Sequence, residues 1–218
     1  MGYDLRALAE LAAEALRQAE HDLRLEQAVY GLDSLSEAEI QELLAVHLRN
    51  RYEVAREVPY PSATSGRRRG AAGRLRCDIV ITPPGRPLIG HTGEPGLFDA
   101  VGGCPPCEAL WLEVKGAWQF REGGIPHGGY GAQWRKAIVA DLRKMEADPE
   151  ICHAALLLVV FTESSAIVEK DIELFEAHLT RQEVLARQRQ VRSFPILERI
   201  GHRVCTVAIW PTVQKTAD

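Results

Sequence analysis

The sequence contains no apolar run that approaches the roughly 20 residues needed to cross a lipid bilayer. Residues 1–10 also lack the charged start and the apolar middle of a secretory signal peptide. The two absences together predict a cytoplasmic protein with no membrane association.

Cysteine is scarce, and its five positions are irregularly spaced: Cys77, Cys104, Cys107, Cys152 and Cys205. An odd number of cysteines in a reducing compartment predicts free thiols, not a disulfide framework. Cys104 and Cys107 have the spacing of half a Zn²⁺ site, but no second pair of this spacing follows. Cys77 or His91 would have to complete such a site by folding back, so inert thiols are the preferred interpretation.

An excess of positive charge is also lacking, because the formal net charge is −4. A polyanion would therefore have to be bound by a local patch. Residues 67–76 provide one, since they contain no acid and five arginines: Arg67, Arg68, Arg69, Arg74 and Arg76. A solvated loop is the alternative interpretation. The position of this segment immediately before a strand with an acidic residue favours contact with phosphates.

Hydrophobic periodicity and turn residues predict an α/β fold. The predicted elements are a helix over 4–30, a helix from Ser34 or Ser36 to Arg49, strands over 52–60, 75–81 and 109–118, a helix over 133–145, a strand over 154–161, a helix over 165–190 and a strand over 203–210. We expect one domain with a mixed central sheet flanked by helices. Residues 1–33 form an N-terminal helical extension, 34–162 a core, and 163–218 a C-terminal helix and strand.

Residues 83–107 form a long irregular insertion with six of the 12 prolines. Long loops in compact domains are usually functional or disordered. The sequence does not assign a role to this one.

Charged residues interrupt two of the apolar strands. Glu113 and Lys115 project to one face of the strand over 109–118, because side chains alternate along a strand. Asp78 interrupts the strand over 75–81 on the face opposite Leu75, Cys77, Ile79 and Ile81. If the two strands are neighbours, Asp78 and Glu113 converge. Paired carboxylates suit Mg²⁺, and a lysine beside them can orient water or offset charge on a phosphate.

The segments RLRCDIVI (74–81) and ALWLEVKGAW (109–118) resemble the motif of the PD-(D/E)XK nuclease superfamily, with Cys77 where the motif has proline. The predicted order of elements over 36–161 is similar to the αβββαβ restriction-endonuclease-like core of that superfamily. The resemblance implies that Asp78 and Glu113 bind Mg²⁺ or Mn²⁺, that the Val114 carbonyl is a backbone ligand, and that Lys115 is the catalytic lysine.

The same resemblance implies an acidic ligand from the helix before the first strand. Glu39 is the first choice for it, with Glu42 or Glu37 as substitutes. Gln133 and Lys136 would contact the scissile phosphate. Two other conspicuous sets receive structural interpretations: Trp111 and Trp134 are expected in the core, and His127 is expected in a polar turn.

The sequence therefore predicts a metal-dependent nuclease acting on DNA, by preference an endonuclease of restriction, defence or repair. Double-strand cutting would need a homodimer or a larger complex. The N-terminal helix could support one, although packing on the core explains this helix equally well. Two alternatives remain open. One is a catalytically silent subunit that binds nucleic acid or a protein, and the other is a zinc-stabilised interaction module at Cys104 and Cys107.

Overall fold

The structure, a computed structural model, describes residues 3–62, 75–90, 102–134, 136–184 and 186–214. Within these ranges it has α-helices, two short 3-10 helices (Leu32–Ser34 and Glu122–Gly124) and strands. The helices are α1 (Leu5–Leu25), α2 (Glu37–Leu48), α3 (Tyr130–Gln133), α4 (Lys136–Ala147) and α5 (Ser165–Arg181). The strands are β1 (Glu53–Pro59), β2 (Arg76–Thr82), β3 (Leu110–Trp118), β4 (Phe120–Arg121), β5 (Ile125–Pro126), β6 (His153–Thr162), β7 (Gln190–Pro195) and β8 (Val204–Gln214).

Six of the strands form one mixed sheet in the order β1-β2-β3-β6-β8-β7. The neighbours β3 and β6 are parallel, and every other pair in this sheet is antiparallel. Strands β4 and β5 form a separate two-stranded hairpin after β3. The mixed α/β class predicted from the sequence is confirmed.

The sheet has a hydrophobic layer on each face. On one face, α1 and α2 bury residues such as Leu8, Leu16 and Leu44 against Ile79 and Val207. On the other face, residues of α4 and α5 pack with Trp111, Trp134 and Trp210. Strand β6 is buried along nearly its whole length because both of its faces are covered, as its aliphatic sequence predicts. Within the described ranges, none of the helices combines the length and apolar character that a membrane-spanning helix requires.

Three predicted helices differ from the observed ones. Helix α1 ends at Leu25, not near Tyr30, because Gln27 has a positive φ of 52° and the chain turns there. The single helix predicted over 133–145 is observed as α3 and α4. The prediction of a helix continuing to Gln190 is wrong, because α5 ends at Arg181 and residues 190–195 pair with β8 as β7.

The strand predictions hold to within a residue or two at most ends, and β8 extends beyond the predicted 203–210. Alternation along β2 is interrupted, however. Ile79 and Ile81 face α1 and α2, whereas Cys77 packs with Val80 in the opposite layer. The prediction that Cys77 shares a face with Ile79 is therefore wrong. Glu57, which lies across from this point on β1, has a positive φ of 51°, so both strands are irregular here.

A close contact fixes the end of β3. Gly116 and Trp118 are two residues apart and lie on the same face, and a methyl group added to Gly116 would lie 2.6 Å from Cζ3 of the Trp118 ring. This ring stacks on Phe161 of β6, with 5.9 Å between the ring centroids. Glycine is therefore required at position 116 for packing, because Trp118 cannot approach the strand over a larger residue.

We predict that Gly116→Ala lowers the free energy of unfolding by about 1–3 kcal/mol, the usual cost of overpacking. Gly128→Ala is the matched control, because a methyl group there meets nothing within 4 Å. Urea unfolding of both variants measures the difference. Equal stability of the two variants would show that the Trp118 ring moves aside at little cost.

Candidate active site

The site forms where β2 and β3 cease to pair. The two strands are antiparallel neighbours, as predicted, but their register ends at Leu112. Strand β3 continues to Trp118 in contact with β6 on its other edge. From Val114 onward, its backbone groups on the β2 side therefore need partners other than a strand.

Side chains from two elements bond to this open edge of β3. Asp78 Oδ2 accepts a hydrogen bond of 2.8 Å from the Val114 N–H group. Glu37 of α2 accepts one of 2.9 Å from the Gly116 N–H group. Gln41 Nε2 donates a long bond of 3.4 Å to the Val114 carbonyl. The unpaired N–H groups of this edge thus bind carboxylates in the gap between the strands.

These carboxylates meet at the ammonium group of Lys115. Its Nζ atom lies 3.5 Å from Asp78 Oδ2, 3.5 Å from Glu113 Oε2 and 3.5 Å from Glu37 Oε1. Asp141 Oδ2 of α4 lies 3.6 Å away. We call Asp78, Glu113, Glu37 and Asp141 the carboxylate cluster. The sequence prediction that Asp78 and Glu113 converge is confirmed, because an oxygen of each carboxylate lies 3.5 Å from the same atom, Lys115 Nζ.

Glu113 is the most deeply buried member of the cluster, with 3% of its surface exposed. Burial, followed by the charge of Asp78, raises its pKa from 4.5 to about 8, although Tyr60 and Lys115 oppose this shift. The Tyr60 hydroxyl donates to Glu113 Oε1 at 2.6 Å. Burial also raises the pKa of Tyr60, so its hydroxyl keeps the proton that it donates.

Lys115 remains charged in this environment. Burial lowers the pKa of Lys115, but the carboxylates of Asp78, Glu113, Glu37 and Asp141 outweigh burial and raise it overall. Lys144 provides a second ammonium group, 2.7 Å from Asp141 Oδ1. Four carboxyl groups thus share two ammonium groups.

The cluster offers oxygen atoms only, which are the donors that Mg²⁺ and Mn²⁺ prefer. Asp78, Glu113 and Glu37 are the residues that could hold such an ion, and the Val114 carbonyl lies on the same open edge. Among the residues that the structure describes, no group of three or more His, Cys, Asp and Glu side chains meets the geometric criteria for a metal site. The donor chemistry of the residues nevertheless fits the implied ion.

Helix α2 supplies Glu37 to the cluster, not Glu39. Glu39 Oε2 accepts bonds of 2.7 Å from the backbone N–H and the hydroxyl of Ser36, which makes a capping box at the start of α2. Glu42 forms an ion pair with Arg56 of β1. The expected place of Glu39 beside Asp78 is therefore taken by Glu37, one of its two predicted substitutes.

Sequence reasoning missed Gln41, Tyr60 and Asp141. Two of them carried a usable signal: Gln41 lies one helical turn after Glu37, and Asp141 interrupts the apolar stripe of α4 between Ile138 and Met145. Tyr60 carried none, because a tyrosine at a strand end is ordinary.

The remaining candidates are placed as follows. Arg67, Arg68, Arg69, Arg74, His91 and the side chains of Gln133 and Lys136 lie outside the described residues. Arg76 is exposed and donates to the Glu57 carbonyl at 2.6 Å. Trp111 and Trp134 are buried in the core, as predicted. All five cysteines are free thiols, and four of them are buried.

No family model matches this chain, and neither the curated proteins nor the solved structures include a significant match to it.

We predict that Glu113→Gln stabilises the protein when no divalent cation is present. Because the pKa of Glu113 is raised in the folded protein, the folded state retains a proton between about pH 4.5 and 8 that the unfolded state releases. The contribution of Glu113 to the stability of the wild type therefore falls as pH rises through this range, by about 1.4 kcal/mol per pH unit. Glutamine carries no such proton, so the advantage of the variant grows up to about pH 8.

Urea unfolding of both proteins in EDTA at pH 5 and pH 8 measures this advantage. A variant that is less stable than the wild type at both pH values would identify Glu113 and Lys115 as a structural ion pair.

Proposed function

We propose that the protein is a metal-dependent nuclease that hydrolyses phosphodiester bonds in DNA, with Mg²⁺ or Mn²⁺ bound by Asp78, Glu113 and Glu37. The observation that carries the proposal is the convergence of four carboxylates from β2, β3, α2 and α4 on Lys115 Nζ.

The charge balance of the cluster supports a divalent cation. If all four carboxyl groups are ionised, they carry two more negative charges than Lys115 and Lys144 offset, and one Mg²⁺ ion would balance that excess. Without a cation, the raised pKa of Glu113 keeps this group protonated below about pH 8 and reduces the excess. Uncompensated buried charge costs several kcal/mol and is not expected in a purely structural site. Burial, followed by the charge of Asp78, raises the pKa of Glu113, so ionising this group without a cation is unfavourable.

Each residue has a distinct role in the proposed reaction. A cation held by Asp78, Glu113 and Glu37 would polarise the scissile phosphate and lower the pKa of a coordinated water. Asp78 is oriented by the Val114 N–H group, and Glu113 by the Tyr60 hydroxyl. Lys115 donates to the attacking water or to a phosphate oxygen and offsets the charge that develops there. Asp141 of α4 contacts the ammonium group of Lys115 from the face of the sheet that α4 covers and holds it there.

The arrangement of the fold agrees with the PD-(D/E)XK resemblance. Taken in chain order, α2, β1, β2, β3, α4 and the parallel strand β6 give the order αβββαβ, with the hairpin β4–β5 and the short helix α3 inserted between β3 and α4. The predicted motif residues lie on β2 and on the adjacent strand β3. An endonuclease is our preference within the class, and the Arg-rich segment that enters β2 would contact the backbone of the substrate.

One observation favours a second candidate, a catalytically silent subunit that binds nucleic acid or a protein. The ammonium group of Lys115 already contacts every carboxylate of the cluster. Such a contact pattern could be maintained without a metal.

A cleavage assay separates the two candidates. Supercoiled plasmid, single-stranded DNA and RNA are incubated with the protein in Mg²⁺, Mn²⁺ or EDTA. We expect nicking or linearisation of the plasmid that requires a divalent cation and falls at least about 100-fold in Lys115→Ala. Cleavage that survives this substitution would come from another site or from a contaminant. The absence of cleavage in all conditions would favour the silent subunit.

Two glutamates of α2 provide a matched pair for the metal site. We predict that Glu37→Gln lowers cleavage by at least about 10-fold, because it removes a carboxylate from the cluster. Glu39→Gln should retain cleavage, because glutamine also completes a capping box. The same assay with both variants tests this, and the opposite ranking would restore Glu39 as the ligand.

A further inference from the structure

A groove of about 800 Å³ opens beside the carboxylate cluster. It runs between the segment that joins α1 to α2 and the end of β3 with its following hairpin. Its lining includes Tyr30, Trp118, Phe120, Arg121 and His127, and we call it the Tyr30 groove. Glu37 belongs both to this lining and to the cluster. The groove therefore starts at the proposed site of phosphate hydrolysis.

Two aromatic rings of the lining, those of Trp118 and Phe120, are held in place by rings that lie beneath them in the protein. Trp118 stacks on the buried ring of Phe161, and Phe120 packs on His202 with 5.4 Å between ring centroids. His202 is fully buried, and its Nδ1 atom lies 2.8 Å from Asp33 Oδ2. Its Nε2 atom accepts a hydrogen bond of 3.0 Å from the Phe120 N–H group. The aromatic surfaces are thus fixed before any ligand binds.

Tyr30 differs from these two rings in its exposure. It is 60% exposed, although it is a large aromatic residue that lines a groove. Aromatic side chains with accessible faces are the usual platforms on which bases of single-stranded nucleic acid stack.

The charges of the lining decide which part of a nucleic acid fits. Four of the lining residues are acidic and one is an arginine: Asp33, Glu37, Glu39, Glu122 and Arg121. A run of phosphates in the groove would be repelled, whereas an uncharged base would not. The backbone would then pass along the rim towards Lys115, with a base turned inwards.

From this combination we infer that the Tyr30 groove binds an unpaired nucleobase next to the scissile phosphate, so that the substrate is single-stranded or locally opened DNA. The inference rests on the proposed function for the position of the phosphate, but base binding itself does not require cleavage. Stacking on Tyr30 and Phe120 supplies the affinity, and a closed duplex cannot present a base to the groove.

Binding to three labelled probes of equal length tests the inference: a single strand, the matching duplex, and a strand of abasic deoxyribose phosphates. Fluorescence anisotropy is measured in Ca²⁺, and gels verify that the probes stay intact. We expect Tyr30→Ala to weaken binding of the single strand about 10-fold and to leave the abasic strand and the duplex unchanged. Phe120→Leu, which keeps an apolar contact with His202, should act in the same direction.

Val29→Ala is the matched control, because Val29 is 82% exposed, adjacent to Tyr30 and not part of the lining. Equal single-strand affinities of Tyr30→Ala and Val29→Ala would overturn the inference, as would equal losses for all three probes. Base-dependent binding without cleavage of either plasmid or single-stranded DNA would contradict the proposed function and leave this inference standing. Cleavage without base-dependent binding would support the proposed function and contradict this inference.

Discussion

The termination of β2–β3 pairing at Leu112 is the constraint on which the site depends. If the ladder continued, the N–H and C=O groups of Val114 would bond to β2, and Asp78 would have no backbone donor to bind. Because β6 supports β3 along its whole length, the strand stays straight while its other edge opens. Because β3 is held along one side by β6, the backbone N–H groups on its unpaired side keep their positions. These N–H groups can therefore orient the carboxylates accurately.

The same opening brings several carboxylates close together. This concentration of negative charge lowers the stability of the folded protein. Helix α2 brings Glu37 to the edge, and α4 brings Asp141 from the other face of the sheet. Lys115 connects the two layers because its ammonium group reaches both. Natural proteins give up stability at functional sites more readily than in purely structural ones. The raised pKa of Glu113, caused by its burial and by the charge of Asp78, is the measurable sign of this cost.

The sequence predicts the strands and their chemistry better than it predicts the helix contributions. Asp78, Glu113 and Lys115 stand out because charge in an apolar strand is rare, and strand alternation then places the last two together. Glu37 and Glu39 are harder to distinguish, because both lie in the first turn of α2 and the choice depends on which one caps the helix. The mistaken helix over residues 182–190 has a comparable cause: its composition favours a helix, but pairing with β8 decides the conformation of the residues that follow it.

Electrostatics also explains how a chain with a net charge of −4 could act on a polyanion. The carboxylate cluster and the Tyr30 groove both repel phosphates, so neither can attract DNA before a cation binds. Attraction must come from positive groups outside them, and the Arg-rich segment precedes Asp78 directly in the sequence, with Arg76 exposed at the start of β2. If the proposed function is right, the acidic centre would accept a phosphate only with a divalent cation bound. Metal dependence would then arise at the binding step as well as in the chemical step.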